Sequence, residues 1–202
     1  MLPKQKLLNI ASRFRGLLPV VVDVETTGLN PATDALLEIA AVQISMDKQG
    51  KIYPGEIQAY HIEPFQGAHI DPEALAVTGI DPGYPLRYPV PEQHALHQLF
   101  LKVTQWIEQS GCQRAVLVGH NAWFDLAFIQ AAITRSHLRA SSPFHSFTTL
   151  DTASLAAVAL GETVLARAAR AARIPFDVNQ AHSAIYDAKR TAELFCCIVN
   201  KG

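Results

Sequence analysis

Apolar and polar positions along this chain follow two periods, and their order predicts the elements. Val20-Val21-Val22-Asp23-Val24-Glu25-Thr26-Thr27-Gly28 opens with a β-branched run that reads as a buried strand, broken by Thr26-Thr27-Gly28. A loop through Asn30–Asp34 leads to Leu36–Ser45 (LLEIAAVQIS), a second strand close enough to pair antiparallel with the first. Glu56–Pro64 reads as a third, after a turn around Gly50 and Pro54-Gly55, which completes a meander. Ahead of these strands, residues 1–16 form a short helix with Leu7, Leu8, Ile10 and Phe14 on a partial apolar face. Residues 65–91 are rich in proline and glycine, carry a short helix at Pro72–Val77, and are too long for a plain connector. In Glu92–Ser110 the apolar positions Leu96, Leu99, Phe100, Val103 and Ile107 have helical spacing, and Gly111 ends the helix. Arg114–Gly119 is a short buried strand, and Asn121 is placed to cap a helix running to about His137. Thr148–Asp151 supplies a fifth strand, and helices fill Thr152–Leu160, Glu162–Ala172 and Ser183–Asn200. The expectation is an α/β fold in one domain over residues 1–202. Its mixed five-stranded sheet, an antiparallel meander followed by parallel strands, is flanked by helices.

Two acids interrupt the first strand where burial is expensive. Strand side chains alternate faces, so Asp23 and Glu25 share one side while Val22 and Val24 take the other. Carboxylates that close repel unless a cation lies between them. The break after Glu25 places both at a strand's carboxyl end, where α/β proteins commonly build their sites. An exposed edge strand with two solvated acids is the alternative, and the valine flank argues against it. A metal site is the expectation.

Composition narrows the classes. With 49% hydrophobic and 17% charged residues among 202, the chain can bury a core and is not disordered as a whole. A formal net charge of −1 excludes wholesale electrostatic coating of nucleic acid, so polyanion binding requires a local patch. Cys112, Cys196 and Cys197, odd in number and two of them adjacent, fit neither a disulfide framework nor a zinc spacing, which points to reduced thiols. No apolar run approaches the ~20 residues that span a bilayer. Lys4, Lys6, Arg13 and Arg15 precede no uninterrupted apolar core, so no signal peptide is expected. A soluble cytoplasmic protein without a membrane partner is the expectation.

Three more residues complete the pattern. Asp125 lies in the first turn of the helix that Asn121 begins, just beyond a strand terminus. Five helical residues rotate about 500°, so His182 and Asp187 converge only if Ser183 caps the last helix and His182 stands in the preceding loop. Taken singly, Asp125 is ordinarily first-turn helix electrostatics, His182 a surface histidine and Asp187 a solvated acid. Together, D-x-E on the first strand, N-x-x-F-D on a central helix and H-x-x-x-x-D on the last resemble the DEDDh 3′-to-5′ exonucleases, over about Arg13 to Asn200. E-I-A-A-V after the first strand and P-E-A-L-A-V-T-G-I at 72–80 add to the resemblance. It implies a ribonuclease H-like fold and phosphodiester hydrolysis with two Mg2+, Mn2+ being a substitute. Two such cations about 3.5–4 Å apart serve both ends of an in-line displacement, and magnesium takes hard oxygen ligands while keeping several waters. The family pattern implies that Asp23 bridges both ions, Glu25 and Asp187 complete one site, and Asp125 supports the other, partly through water. It assigns His182 as the general base, since imidazole has a reference pKa of about 6.5.

Finer similarity lies in Arg13-Phe14-Arg15-Gly16, Ile39–Val42 and Phe144-His145-Ser146-Phe147. These segments are similar to the branch of the family that trims 3′ ends of tRNA and other stable RNAs, and acts on single-stranded RNA and DNA as a homodimer. That branch implies a basic patch of Arg13, Arg15, Arg114 and Arg139 on one subunit facing the other's active site, with Glu108 where lysine is usual. It also implies that Phe124 and Phe147 stack terminal bases, that Glu73 contacts a base, and that Leu29 and Val77 replace phenylalanines. An aromatic stack contributes roughly 1–3 kcal/mol per base, so these two replacements retune base preference, including the reluctance toward terminal cytosine. Trp123, about 100° round the helix from Phe124, is assigned to the core. Arg167, Arg170 and Arg173 read as a solvated helix face. The rivals are a DEDDh proofreading subunit acting on DNA and an inactive nucleic-acid-binding module, and the intact five-residue signature argues against the latter.

Overall fold

The computed structural model describes residues 9–201. Five strands, β1 (Leu17–Thr26), β2 (Leu36–Met46), β3 (Ile52–His61), β4 (Arg114–Gly119) and β5 (Phe144–Asp151), form one sheet in the order β3-β2-β1-β4-β5. β1 is central, antiparallel to β2 and parallel to β4. Val20, Val21 and Val22 are all buried, because a central strand flanked by helices is covered on both faces and needs apolar side chains on each. The β1–β2 register sets Glu25 directly opposite Glu38.

Among the described residues, seven α-helices surround the sheet: α1 (Ile10–Arg13), α2 (Pro72–Thr78), α3 (Glu92–Ser110), α4 (Ala122–Arg135), α5 (Thr152–Leu160), α6 (Leu165–Ala171) and α7 (Ala184–Val199). α7 packs Ala184, Ala188, Ala192 and Phe195 into the main core against β1, β2 and β3. α3 contributes Leu96, Leu99, Phe100, Val103 and Trp106, and ends at Gly111, whose φ of 65° is the left-handed cap geometry that glycine adopts freely. α5 and α6 close a smaller cluster with α7 through Ala156, Ala168 and Leu194. Among the described residues no single helix is long and apolar enough to cross a bilayer.

The elements differ from the sequence expectation mainly at the sheet edges. β3 starts at Ile52 rather than Glu56 and ends at His61 rather than Pro64. Its Pro54 lies opposite Ile44, beside a bulge, and an edge strand tolerates a residue with no N–H to donate. β5, the other edge, starts at Phe144 rather than Thr148. α6 begins at Leu165 rather than Glu162, with Val164 extended. Of the helix expected over 1–16, Ile10–Arg13 is present, closed by an Asn9–Ser12 capping box. Residues 1–8, including Lys4, Lys6, Leu7 and Leu8, lie outside the described residues.

The segment after β3 runs back along the loop that follows β1. His69 N–H donates to the Thr33 carbonyl at 2.9 Å and Asp71 N–H to the Thr27 carbonyl at 2.8 Å. Asp71 then caps α2 by accepting from Glu73 N–H. This stapling holds α2 beside the carboxyl end of β1, where the acids stand.

Candidate active site

Asp23 and Glu25 end β1, with Glu25 buried. Asp125, also buried in the first turn of α4, turns its Oδ1 to accept from Val24 N–H at 3.1 Å, so it reaches the backbone between the two strand acids. The approach depends on Gly119 at the end of β4. A Cβ there would lie 2.9 Å from Asp125 Oδ2 and 3.0 Å from Ala122 Cα. From α7, Asp187 Oδ2 accepts the backbone N–H of His182 at 3.0 Å. His182 has φ 64°, a left-handed turn in the loop just before the helix. One ligand atom each from Glu25, His182 and Asp187 lie within 4.8 Å of one another.

The first N–H groups of α4 and α7 are held by acids from elsewhere in the fold, which corrects the expected local caps. Asn121 occupies the cap position of α4 but has φ 67° and makes no side-chain cap bond. Asp151 Oδ2, at the end of β5, accepts Ala122 N–H at 2.9 Å instead. Ser183 likewise makes no side-chain cap bond, and Glu38 Oε2 of β2 accepts Ala184 N–H at 3.2 Å. A carboxylate at a helix N-terminus gains from the orphan N–H groups and the helix dipole. Here each one also ties to the sheet a helix that carries a candidate ligand. Neither Glu38 nor Asp151 stood out in the sequence, although Glu38 is an acid inside an apolar strand, the signal that had singled out Asp23 and Glu25.

So many acids in one place perturb one another. Burial, then Asp125, Glu25, Asp187 and Glu38, push the Asp23 carboxyl well above the usual range. Burial, then Asp187, Glu38 and Asp125, push Glu25 up to about 8. Asp125 is pushed to about 8, chiefly by burial and further by Asp151, against the hydrogen bond from Val24. Burial raises Asp187 despite the opposing pull of the His182 N–H and ring. No lysine or arginine of the described residues offsets the charge at Asp23 or Glu25. Moreover, Asp187 Oδ1 is buried without a hydrogen-bond partner. An orphaned carboxylate oxygen beside Glu25 and His182, in a cluster short of positive charge, fits a divalent cation with hard oxygen ligands.

Beside the acids lies a groove of about 340 Å3 lined by Glu25, His182, Phe124, Leu29, Glu73 and Val77, among others. It thus gathers four expected substrate contacts next to two expected catalytic groups. Leu29 is 81% exposed and Val77 62%, which leaves both aliphatic side chains facing the opening.

A family model described as Exonuclease matches residues 20–195. Ribonuclease T of Yersinia pestis is 53% identical over 201 residues, covering 100% of this chain and 93% of that protein. Ribonuclease T of Photorhabdus laumondii is 55% identical over 192 residues, covering 95% and 88%. The chain belongs to the ribonuclease T family of exonucleases. It is therefore a 3′-to-5′ exonuclease, a hydrolase of phosphodiester bonds. Among solved structures, Escherichia coli exonuclease I in complex with a dT13 oligonucleotide aligns with a TM-score of 0.69 at 21% identity. The alignment covers 90% of this chain and 41% of that one, and it shows the shared ribonuclease H-like fold.

Not every residue expected of a ribonuclease T family member reaches the groove. Phe147, on β5, is 85% exposed and lies outside the groove lining. Arg114 and Arg139, both exposed, line a second cavity of about 630 Å3 between α4 and β5, together with Gln130 and His145. Arg13 is half-buried, and its guanidinium donates to the carbonyls of Gly50 at 2.5 Å and Val199 at 2.7 Å, fastening the turn before β3 to the end of α7. Arg15 and Glu108 are exposed. Trp123 corrects an expectation: it is 68% exposed rather than core, with its ring edge-to-face on Phe124 at 5.8 Å. Ala122, Asp125 and Phe128 take the buried side of α4, which leaves position 123 facing outward.

Proposed function

We propose that this exonuclease, acting as a single domain, trims short single-stranded 3′ ends of tRNA and other stable RNAs, and of single-stranded DNA. The products are nucleoside 5′-monophosphates, and the cofactors are two Mg2+ ions, with Mn2+ as substitute. The observation that carries this reading is the orphaned Asp187 oxygen among Glu25, His182 and the other acids, at the head of a groove with aromatic and aliphatic walls. Asp23, Glu25, Asp125 and Asp187 would hold the ions. When bound, they supply Lewis-acid stabilisation of the charge that develops on the phosphate and the leaving oxygen. His182 takes the proton of the attacking water at a ring nitrogen, and its backbone bond to Asp187 keeps the ring at the groove mouth. Phe124 offers a ring face to the terminal base, Glu73 a carboxylate acceptor, and Leu29 and Val77 an aliphatic wall without a stacking face.

The reading extends to a homodimer. Leu17 pairs with Arg114 at the amino ends of β1 and β4, whereas the acids stand at the carboxyl end. From Leu17 to Glu25 is eight residues of strand, and at about 3.3 Å each this is about 26 Å. Arg15 and Arg114 are thus too far from the acids of their own chain to grip the same terminal nucleotide. A second copy would bring such a patch to the site. The free Cys112, Cys196 and Cys197 agree with a cytoplasmic setting.

The test is to incubate the protein with single-stranded RNA and DNA oligomers, with and without Mg2+, and to analyse the products. Stepwise release of 5′-monophosphates from the 3′ end, abolished by a chelator, is expected. No release from either polymer in Mg2+ or Mn2+ refutes the reading, and a monomer by sedimentation refutes the two-copy part of it.

A further inference from the structure

His182 is exposed, and the hydrogen bond that holds it is made by its backbone N–H to Asp187 Oδ2. An exposed side chain on a loop stands where the loop puts it, so the anchors of residues 174–183 decide the place of the imidazole. That loop folds back onto α7 at three points. Arg190 donates to the Pro175 carbonyl at 3.0 Å, the Phe176 ring packs edge-to-face on Tyr186 at 5.4 Å, and the Tyr186 hydroxyl oxygen accepts Asp177 N–H at 2.5 Å. Positions 186 and 190 are neighbours on the helix surface, and the Arg190 guanidinium lies over the Tyr186 ring, 5.1 Å from its centre. Beyond Asp177 the chain closes into a tight turn. The Asp177 carboxylate accepts the Asn179 N–H at 3.0 Å, Asn179 Nδ2 at 3.1 Å and Gln180 Nε2 at 3.0 Å, while Gln180 N–H donates to the Asp177 carbonyl at 3.1 Å. Ala181 alone separates this turn from His182. Tyr186 and Asp187, adjacent in the first turn of α7, thus hold the two ends of the stretch 177–182, Tyr186 at Asp177 and Asp187 at His182.

We infer that Tyr186 is a positioning residue for His182: by holding Asp177 N–H, its hydroxyl fixes the loop that presents the imidazole to the attacking water. The inference rests on the general-base reading of His182 above and adds a residue outside the groove lining. Without the hydroxyl, Asp177 N–H turns to water, because residues 177–180 are exposed, and the fold persists. What is lost is the far anchor of the loop, which leaves His182 to pivot about its single bond to Asp187. A proton transfer needs the ring within hydrogen-bond reach of the water, so the rate follows the fraction of time that the loop spends in place.

The experiment measures kcat and KM on a single-stranded RNA oligomer in Mg2+ for the wild-type protein, Tyr186→Phe, His182→Ala and the double variant. Tyr186→Phe keeps the ring against Phe176 and Arg190 and deletes the hydroxyl. Its kcat should fall roughly two- to tenfold, the range that one hydrogen bond supports, with KM unchanged. In the His182→Ala background the same substitution should change nothing, because no base is left to position. Asn179→Ala combined with Gln180→Ala loosens the turn from its exposed side and should show the same dependence on background; it replaces Tyr186→Phe should that variant fail to fold. Unchanged kcat in the loop variants, or an equal fractional loss in both backgrounds, overturns the inference and leaves the base reading standing. Wild-type turnover in His182→Ala overturns the base reading and the inference with it.

Discussion

Without divalent cations this fold should lose stability as pH rises from about 5 to about 8. The perturbation is removal of metal by a chelator, which leaves the carboxylate cluster to its own repulsion. Glu25 sits at about 8 against an ordinary 4.5, and 3.5 times 1.36 kcal/mol is about 5 kcal/mol of preference for the neutral form. Its folded value lies above its unfolded one, so this contribution is fully present below about 4.5 and is lost as pH climbs through about 8. Asp125, pushed to about 8 as well, acts in the same direction. At about 2–4 °C per kcal/mol for a chain of this size, the melting temperature in chelator should fall by roughly 10–20 °C across that window. Cations bind the ionised carboxylates and release their protons, so the gain in melting temperature on adding Mg2+ should grow with pH. Circular-dichroism melts at several pH values, in chelator and in Mg2+, measure both. A flat or rising curve in chelator would refute the reasoning, as would an Mg2+ gain equal at both ends of the window.

Four other outcomes are expected. His182→Ala should lower turnover by about 10²–10⁴-fold while oligomer binding and the Mg2+-induced rise in melting temperature persist, and wild-type turnover would remove the general-base role. Glu38→Ala frees Ala184 N–H and should cost more turnover than Glu38→Gln, which keeps an acceptor there; equal losses would show that the tie between β2 and α7 does not matter. Leu29→Phe combined with Val77→Phe should add stacking of about 1–3 kcal/mol per base and widen the spread of rates among oligomers ending in different bases. Unchanged relative rates would show that these positions do not read the base. Arg135→Leu strands the buried Glu92, which Arg135 pairs with at 2.8 Å, and should cost about 3–5 kcal/mol in urea unfolding; a loss under about 1 kcal/mol would count against a buried pair.

The elements and the clustered acids were largely legible in the sequence, because apolar periodicity and an acid inside a valine run are local signals. β1, α3 and α7 follow from such patterns, and Asp23 and Glu25 from the cost of burying charge. Of the edge strands, β3 was displaced toward its carboxyl side and β5 was shortened, since an edge buries less and its pattern is weak. What only the tertiary structure decided is which distant group satisfies each polar atom. Local rules assigned the helix caps to Asn121 and Ser183, but Asp151 and Glu38 hold those N–H groups, the latter from 146 positions away. Arg13 resembled a nucleic-acid contact, yet its guanidinium is engaged by a carbonyl 186 positions on. Trp123 was assigned inward from its angle to one neighbour, and the packing of α4 turned it outward. Periodicity is written along the chain, whereas the partner of a buried charge or the open face of a ring exists only once the sheet and its helices have closed around it.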